Sequence, residues 1–436
     1  MRWLGSQILK GTRMVARVKY AAVGCGGMGR RHLRGMAALY GSARANMELV
    51  ACCDLKREQA ELLADEAKEL LGTRPRVFTD LETMVREVPD LQAADVTVES
   101  GFHHAVAVSC LTAGLHVMCE KPAAVTVRGC TLMIDTARRA GRVLSIAENF
   151  RRDPIHRLAK ALIDDGAIGN PRLMIQTSIG GRDRISMTPW RHMKETASMP
   201  VDAGVHEADL MRYYLGEFRL VYGETRLHER VRHKGSSTGP GGFYGAYLAT
   251  MPDSIEPTGD DALYAHVTFE SGAVAQWIDD HAGHGLHKDE RLVYGSKGSL
   301  QVHGNRIGKP SKLHLDDGSV VEDGAILEHA PSYRLEPLAA ELFGGERVWT
   351  YDLDFNQTDA RLIALEYHEL GECITAGRQP EVTGEGGRAD VALTYAPFEA
   401  GRLGRPVTLD DMLSGRTDSY QREIDAKLGL LTPVGV

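Results

Sequence analysis

From Val18 onward the chain alternates short apolar runs with segments whose apolar residues recur at helical spacing. Residues Val18–Val23, 49–53, 94–98, 115–119 and 143–147 read as strands buried on both faces, with helices over 30–39, 56–71, 102–113 and Val127–Ala140 between them. This alternation predicts an α/β domain over 18–150, a doubly wound parallel sheet covered by helices on both sides. Past Asn149 the pattern changes. A helix over 154–165 ends at Gly166, and the period shortens to two in 172–179, 262–269, 273–279 and 291–293. These segments predict an α+β domain over 151–410 with an open, largely antiparallel sheet, one face of it solvated. Further helices are expected over 359–376 and 388–402. Residues 234–257 are rich in Gly, Ser and Pro yet carry Phe243, Tyr244 and Tyr247, which predicts a long loop acting as a lid. Residues 411–436 are expected to form a tail and residues 1–17 a disordered leader, with Met14 as an alternative start. The apolar portion of the leader is broken by Gly5, Ser6 and Gln7 and makes a poor signal peptide.

Gly24-Cys25-Gly26-Gly27-Met28-Gly29 joins the first strand to the first helix. In that position a G-x-G-x-x-G run is a dinucleotide turn: its first glycine permits the bend, its second lets backbone approach a pyrophosphate, and its third lets helix pack on strand. Exposed N–H groups at the helix start then attract the anion. Asp54, ending the second strand, is placed to accept hydrogen bonds from a ribose diol and to repel a 2′-phosphate, which favours NAD over NADP. Lys56 and Arg57 beside it weaken that preference.

Composition narrows the class. A chain of 436 residues exceeds one hydrophobic core, so two domains are expected. With 51 Lys and Arg against 59 Asp and Glu, the net charge of −8 gives no basic field for a polyanion, and nucleic acid is not an expected partner. No apolar run is long enough to span a membrane. Cysteines 25, 52, 53, 110, 119, 130 and 373 contain no CxxC and lie mostly in apolar stretches, reading as reduced thiols of a cytoplasmic protein.

Glu120-Lys121-Pro122, directly after a strand, resembles the corresponding element of the Gfo/Idh/MocA oxidoreductases. The likeness continues through Asp95 to His104, with His104 as the matching position, Asn149-x-Arg151-x-x-Pro154, Asp202-Ala-Gly-Val-His206-Glu-Ala-Asp209 and the Arg291-to-Leu300 hairpin. It covers about residues 18–410. Ser100 and Gly101 stand where that family usually has Pro and Asn. The resemblance implies a Rossmann domain holding NAD through Gly24, Gly26, Gly27, Met28, Gly29, Asp54, Ser100, His104, Glu120, Lys121 and Asn149. It also implies a homodimer or homotetramer, a carbohydrate or polyol substrate, and Lys121 and His206 as catalytic pair with Asp202 orienting hydroxyls. The chemistry agrees. An ammonium can stabilise a developing alkoxide, an imidazole titrates near neutrality, and Asp202 and His206, four apart, would share a helix face.

Three further features are particular to this chain. Arg182, Arg184, Arg191 and Lys194, with Trp190 among them and Arg151 nearby, are candidates for binding the anionic group of a sugar acid. His281, His284 and His287 repeat every third residue. Glycines among them favour substrate or interface contacts, and no metal is expected. The long 234–257 loop also leaves room for a glycoside, so an NAD-dependent, redox-neutral glycoside hydrolase is the alternative to a sugar dehydrogenase.

Overall fold

Six parallel strands form the first sheet: β1 (Val18–Val23), β2 (Met47–Cys53), β3 (Arg76–Phe78), β4 (Ala93–Val96), β5 (His116–Glu120) and β6 (Leu144–Ala147), in the order β3-β2-β1-β4-β5-β6. The structure, a computed structural model, describes residues 17–235 and 242–431. Strand order reverses between β1 and β4, and the crevice beyond their carboxyl ends is where doubly wound sheets bind ligands. Ala93–Val96 is buried at every position, as both-face cover requires. The short edge strand β3, three residues long, carries too little pattern to be read from sequence.

The second sheet has nine strands. From one edge they run Val320–Val321, Lys312–Leu315, Gly298–Gln301, Lys288–Gly295, Pro171–Gly181, Val274–Gly283, Ala262–Phe269, Phe218–Arg226 and Val407–Thr408. Every pairing is antiparallel except Pro171–Gly181 with Val274–Gly283. Along Val274–Gly283 buried Ala275, Trp277 and Asp279 alternate with more accessible residues, so one face meets helices Gly204–Leu215 and Gly384–Leu403 while the other stays open.

Two expected boundaries are corrected. The helix predicted from residue 359 starts at Phe355, because Asp354 and Gln357 form a reciprocal cap that an apolar pattern does not reveal. That helix, Phe355–Ala376, leaves the second sheet and packs on Gly27–Tyr40 of the first domain; Gly35 permits the approach, since a Cβ there would lie 2.4 Å from Ile363. The dinucleotide domain is therefore completed by chain from the other end of the sequence. Nor is residue 411 the start of a free tail. Helices Leu409–Leu413 and Gln421–Lys427 are folded, and the second is tied to the first domain: Asp425 accepts from Thr126 Oγ1 (2.7 Å) and Arg128 Nε (3.1 Å), and Gln421 accepts from Val127 N–H (2.9 Å). The predicted lid contains a helix, Gly245–Thr250, and a short ribbon pairing Ser254–Ile255 with Arg232–His233. Its residues 236–241, like leader residues 1–16, lie outside the described residues. All seven cysteines are buried and unbridged. Among the described residues no helix is long and apolar enough to cross a membrane.

Candidate active site

The glycine turn is shaped for an anion. Gly24 has φ +96°, and a Cβ there would sit 2.7 Å from the backbone of Thr97; at Gly29 it would meet the Gly24 carbonyl at 2.3 Å. Helix Gly27–Tyr40 then begins with no side-chain cap and no acid in its first turn, leaving its leading N–H groups for a phosphate. Asp54 accepts from Cys25 N–H and Lys56 N–H, both at 2.8 Å, which aims the carboxylate across the turn. Arg57 turns away to Glu61 at 3.0 Å and does not offset Asp54. Tyr244 and Tyr247 border the turn: a Cβ on Gly27 would stand 3.0 Å from the Tyr244 ring, and one on Gly26 would stand 3.5 Å from the Tyr247 hydroxyl.

The turn opens into a cavity of about 280 Å³ between the two sheets, lined by Met28, Ser100, Glu120, Lys121 and Asn149 from the first domain and by Asp202 and His206 from the second. Asn149 Oδ1 is buried there without a partner, as an amide waiting for a ligand donor would be. Lys121 Nζ donates to the Asp202 carbonyl at 2.8 Å and approaches its Oδ1 at 3.4 Å, while Arg191 Nε donates to Oδ2 at 2.9 Å. Burial alone would raise the Asp202 carboxyl, but the Arg191 and Lys121 charges outweigh it and hold it well below the usual carboxylate range. Asp202 and His206 do not share one helix. Asp202 closes the turn Met199–Asp202 and His206 lies in Gly204–Leu215, with Ala203 between them, yet both reach the cavity.

Sequence reasoning missed what stands behind His206. Its Nδ1 lies 2.6 and 2.8 Å from the two Glu148 oxygens, and its ring stacks on Phe150 at 3.8 Å with 4° between planes. Burial pushes the Glu148 carboxyl up to about 7, and burial with the charges of Lys121 and Arg306 pushes the imidazole well below its usual value. A neutral ring donating through Nδ1 leaves Nε2 as a proton acceptor facing the cavity. Also missed was His32, whose Nδ1 meets Asp95 at 3.0 Å and whose Nε2 meets Glu120 at 3.1 Å beneath Lys121. Asp95 buried within an apolar strand was the available signal.

Several expected residues lie elsewhere. His103, not His104, faces the cavity; one helical step turns His104 toward Gly129 of the neighbouring helix. Arg182 and Arg184 do not line it. Arg184 is 57% exposed, and the buried Arg232 guanidinium ties down both their carbonyls at 3.0 and 2.9 Å. Lys194 pairs with Glu423, and Arg151 with Asp209 at 2.9 Å. Of that cluster Trp190 and Arg191 alone line the cavity, and Arg191 is neutralised by Asp202. The three histidines diverge: His281 meets Asp279 at 3.0 Å, His284 meets Glu229 at 3.0 Å, and His287 packs against Gly180.

The comparisons decide the family. Residues 18–148 match the model for the GFO/IDH/MocA oxidoreductase family with its NAD-binding Rossmann fold, and residues 156–301 match the GFO/IDH/MocA C-terminal domain. The chain belongs to the Gfo/Idh/MocA oxidoreductases. It is similar to the D-apiose dehydrogenase of Paraburkholderia graminis, 24% identical over 410 residues that span 92% of each chain. It is also similar to the levoglucosan dehydrogenase of Pseudarthrobacter phenanthrenivorans, 28% identical over 253 residues, 55% of this chain and 64% of that protein. A solved levoglucosan dehydrogenase in complex with NADH and L-sorbose shares the fold, with a TM-score of 0.69 at 21% identity, covering 91% of this chain and 100% of that one. Family membership makes this chain an NAD-dependent oxidoreductase, and the uncapped turn, Asp54 and the unpartnered Asn149 oxygen fit that cofactor.

Proposed function

We propose that the protein oxidises a secondary hydroxyl of a sugar, sugar acid or polyol. The observation carrying this reading is that Lys121, Asp202 and His206, from two domains, line one cavity together with Met28 of the glycine turn. Bound NAD would supply the hydride acceptor, held by the turn, Asp54, Ser100 and Asn149. Asp202 would accept from substrate hydroxyls while keeping Lys121 oriented. The Lys121 ammonium would stabilise the alkoxide as it forms, and His206 Nε2 would take the hydroxyl proton, with Glu148 steadying the resulting imidazolium. The names of the relatives, levoglucosan and D-apiose dehydrogenase, support a carbohydrate.

The test is a panel of sugars, sugar acids and polyols with NAD, followed at the nicotinamide absorbance band. Stoichiometric NADH is expected, and no NADH from any member would overturn the reading. One observation favours the redox-neutral glycosidase: Tyr244 and Tyr247 cover the turn, as an enzyme that keeps its cofactor through each cycle would need. Release of aglycone from a chromogenic glycoside without NADH accumulation would select it. Tyr222 and Tyr294, exposed on the second sheet, support self-association into a dimer or tetramer, which light scattering measures.

A further inference from the structure

Arg306 is a cation whose surroundings do not satisfy it. It follows the Gly298–Gln301 strand with φ +60°, a left-handed conformation uncommon for a residue with a side chain, and its N–H is pinned to Asp153 Oδ2 at 3.0 Å. The guanidinium is clamped between two rings, 4.8 Å from the Phe150 centroid and 4.7 Å from that of Phe355. Its ion pair is with Asp359, through Nη1 at 2.8 Å. Arg31 already engages both oxygens of that carboxylate, at 2.9 and 2.5 Å, so two buried guanidiniums share one negative charge. Arg306 Nε is buried with no partner, and Nη2 makes no hydrogen bond among the described residues.

The other charges around the cavity are committed. Lys121, Arg191 and His32 face three carboxylates, Asp202, Glu120 and Asp95, and Glu207 holds Arg291. Asp153 accepts from Ile155 N–H, Tyr351 Oη and Arg306 N–H. Glu148 accepts from His206 and from Phe150 N–H. A buried cation left partly unpaired is costly, and a guanidinium with two free N–H groups in a fork matches a carboxylate. Phe150 gives one face to His206 and the other to Arg306, so the proton acceptor and the free fork are separated by a single ring.

We infer that Arg306 anchors a carboxylate on the substrate, making this a dehydrogenase of sugar acids. The inference rests on the dehydrogenase reading above and narrows its substrate class. The single free fork of Nε and Nη2 matches the two oxygens of a monoanionic carboxylate, whereas a phosphate ester brings nearly two negative charges. The anionic group expected from sequence thus meets a residue outside the Arg182 to Lys194 segment.

The experiment compares aldonates and uronates with the matching neutral sugars in the full-length enzyme with NAD, for wild type, Arg306→Met and Arg306→Lys. Wild type is expected to favour the acids at least 100-fold in kcat/KM. Arg306→Met should lose at least 30-fold of that preference through KM, and Arg306→Lys should recover part of it. NAD affinity, read by fluorescence titration, should change less than 3-fold in either variant. Equal use of acids and neutral sugars by wild type overturns the anchor and leaves the dehydrogenase reading standing. A preference that survives Arg306→Met, or a loss confined to NAD affinity, also overturns it. NAD binding without oxidation of either class overturns both readings.

Discussion

His206 Nδ1 lies 2.6 Å from Glu148 Oε1, and the pair is buried against Phe150. This contact sets the tautomer: while Glu148 is ionised, Nδ1 carries the proton and Nε2 can accept one. Burial raises the Glu148 carboxyl from its usual 4.5 to about 7. Below that pH the carboxyl is protonated and donates to Nδ1, so the proton on the imidazole moves to Nε2 and the acceptor is lost. We therefore expect kcat/KM for oxidation to rise with pH through about 7. Glu148→Gln should remove that limb and lower kcat on the order of 100-fold, because a neutral amide cannot stabilise the imidazolium that forms as His206 takes the proton. A pH–rate profile of both proteins checks it; an unchanged limb in the variant would show that another group titrates.

Much of this centre was legible in the sequence. The G-x-G-x-x-G turn and Asp54 follow from local pattern, because a strand, a turn and a helix start leave residue-level marks; Glu120-Lys121, Asp202 and His206 are marked by the family resemblance, and the single helix expected for the last two is broken at Ala203. Glu148 and Arg306 left none, and His32 left only its partner, Asp95 in an apolar strand. Each acts through a partner between 58 and 88 positions away, or through two rings from separate elements, and such pairings are set by tertiary packing. The arginine cluster misled for the same reason. Composition placed five cationic residues near the substrate segment, but Glu423, Asp202 and Asp209 hold the side chains of Lys194, Arg191 and Arg151, and Arg232 fixes the backbone of Arg182 and Arg184.

If Lys121 has the role proposed for it, Lys121→Ala should lower turnover at least 100-fold while NAD still binds, because the ammonium points to Asp202 across the cavity and not to the glycine turn. Steady-state kinetics with NAD titration by fluorescence measures both. Near-normal turnover would remove Lys121 from its role.

Asp54→Ala should weaken NAD about 10-fold and relax discrimination against NADP, since it removes both the ribose acceptor and the charge that repels a 2′-phosphate. Arg57, held by Glu61, should then add little; the NAD-to-NADP ratio of kcat/KM in Asp54→Ala and in Asp54→Ala/Arg57→Ala tests this. A ratio unchanged in the single variant would rule out the ribose contact.

His32 is buried between Asp95 and Glu120, with Tyr367 also donating to Asp95 at 2.5 Å. Burial would lower the imidazole, but the Asp95 charge and the hydrogen bonds the ring donates to both acids outweigh it and hold its pKa well above 6.5. Its stabilising contribution is therefore complete below about 6.5 and is lost as pH climbs through the raised value. Burial would likewise raise Glu120, yet His32 brings it down to about 2, so its contribution holds above 4.5 and fades as pH falls toward 2. His32→Gln strands two buried carboxylates and should cost about 3–5 kcal/mol. Urea unfolding at pH 6 and pH 9 should show the larger gap from wild type at pH 6; an equal gap would mean the imidazole is not charged in the fold.

Tyr244 lies over the phosphate turn, so close that a Cβ on Gly27 would stand 3.0 Å from its ring. Its hydroxyl is 3.4 Å from Arg191 Nη2, and the Arg191 guanidinium lies 5.0 Å from its centroid, which ties the lid to the residue holding Asp202. Moving Tyr244 off the turn therefore requires breaking a buried contact with the guanidinium that holds Asp202. Tyr244→Ala should speed NAD release about 10-fold in stopped-flow fluorescence, and where product release limits turnover kcat should rise with it. Gly27→Ala should impair NAD binding by forcing the ring aside, and Tyr244→Ala in the same chain should relieve most of that loss. Residues in contact couple in this way, and distant ones do not. Strictly additive losses in the double variant would mean that the methyl group clashes with the cofactor and not with the lid.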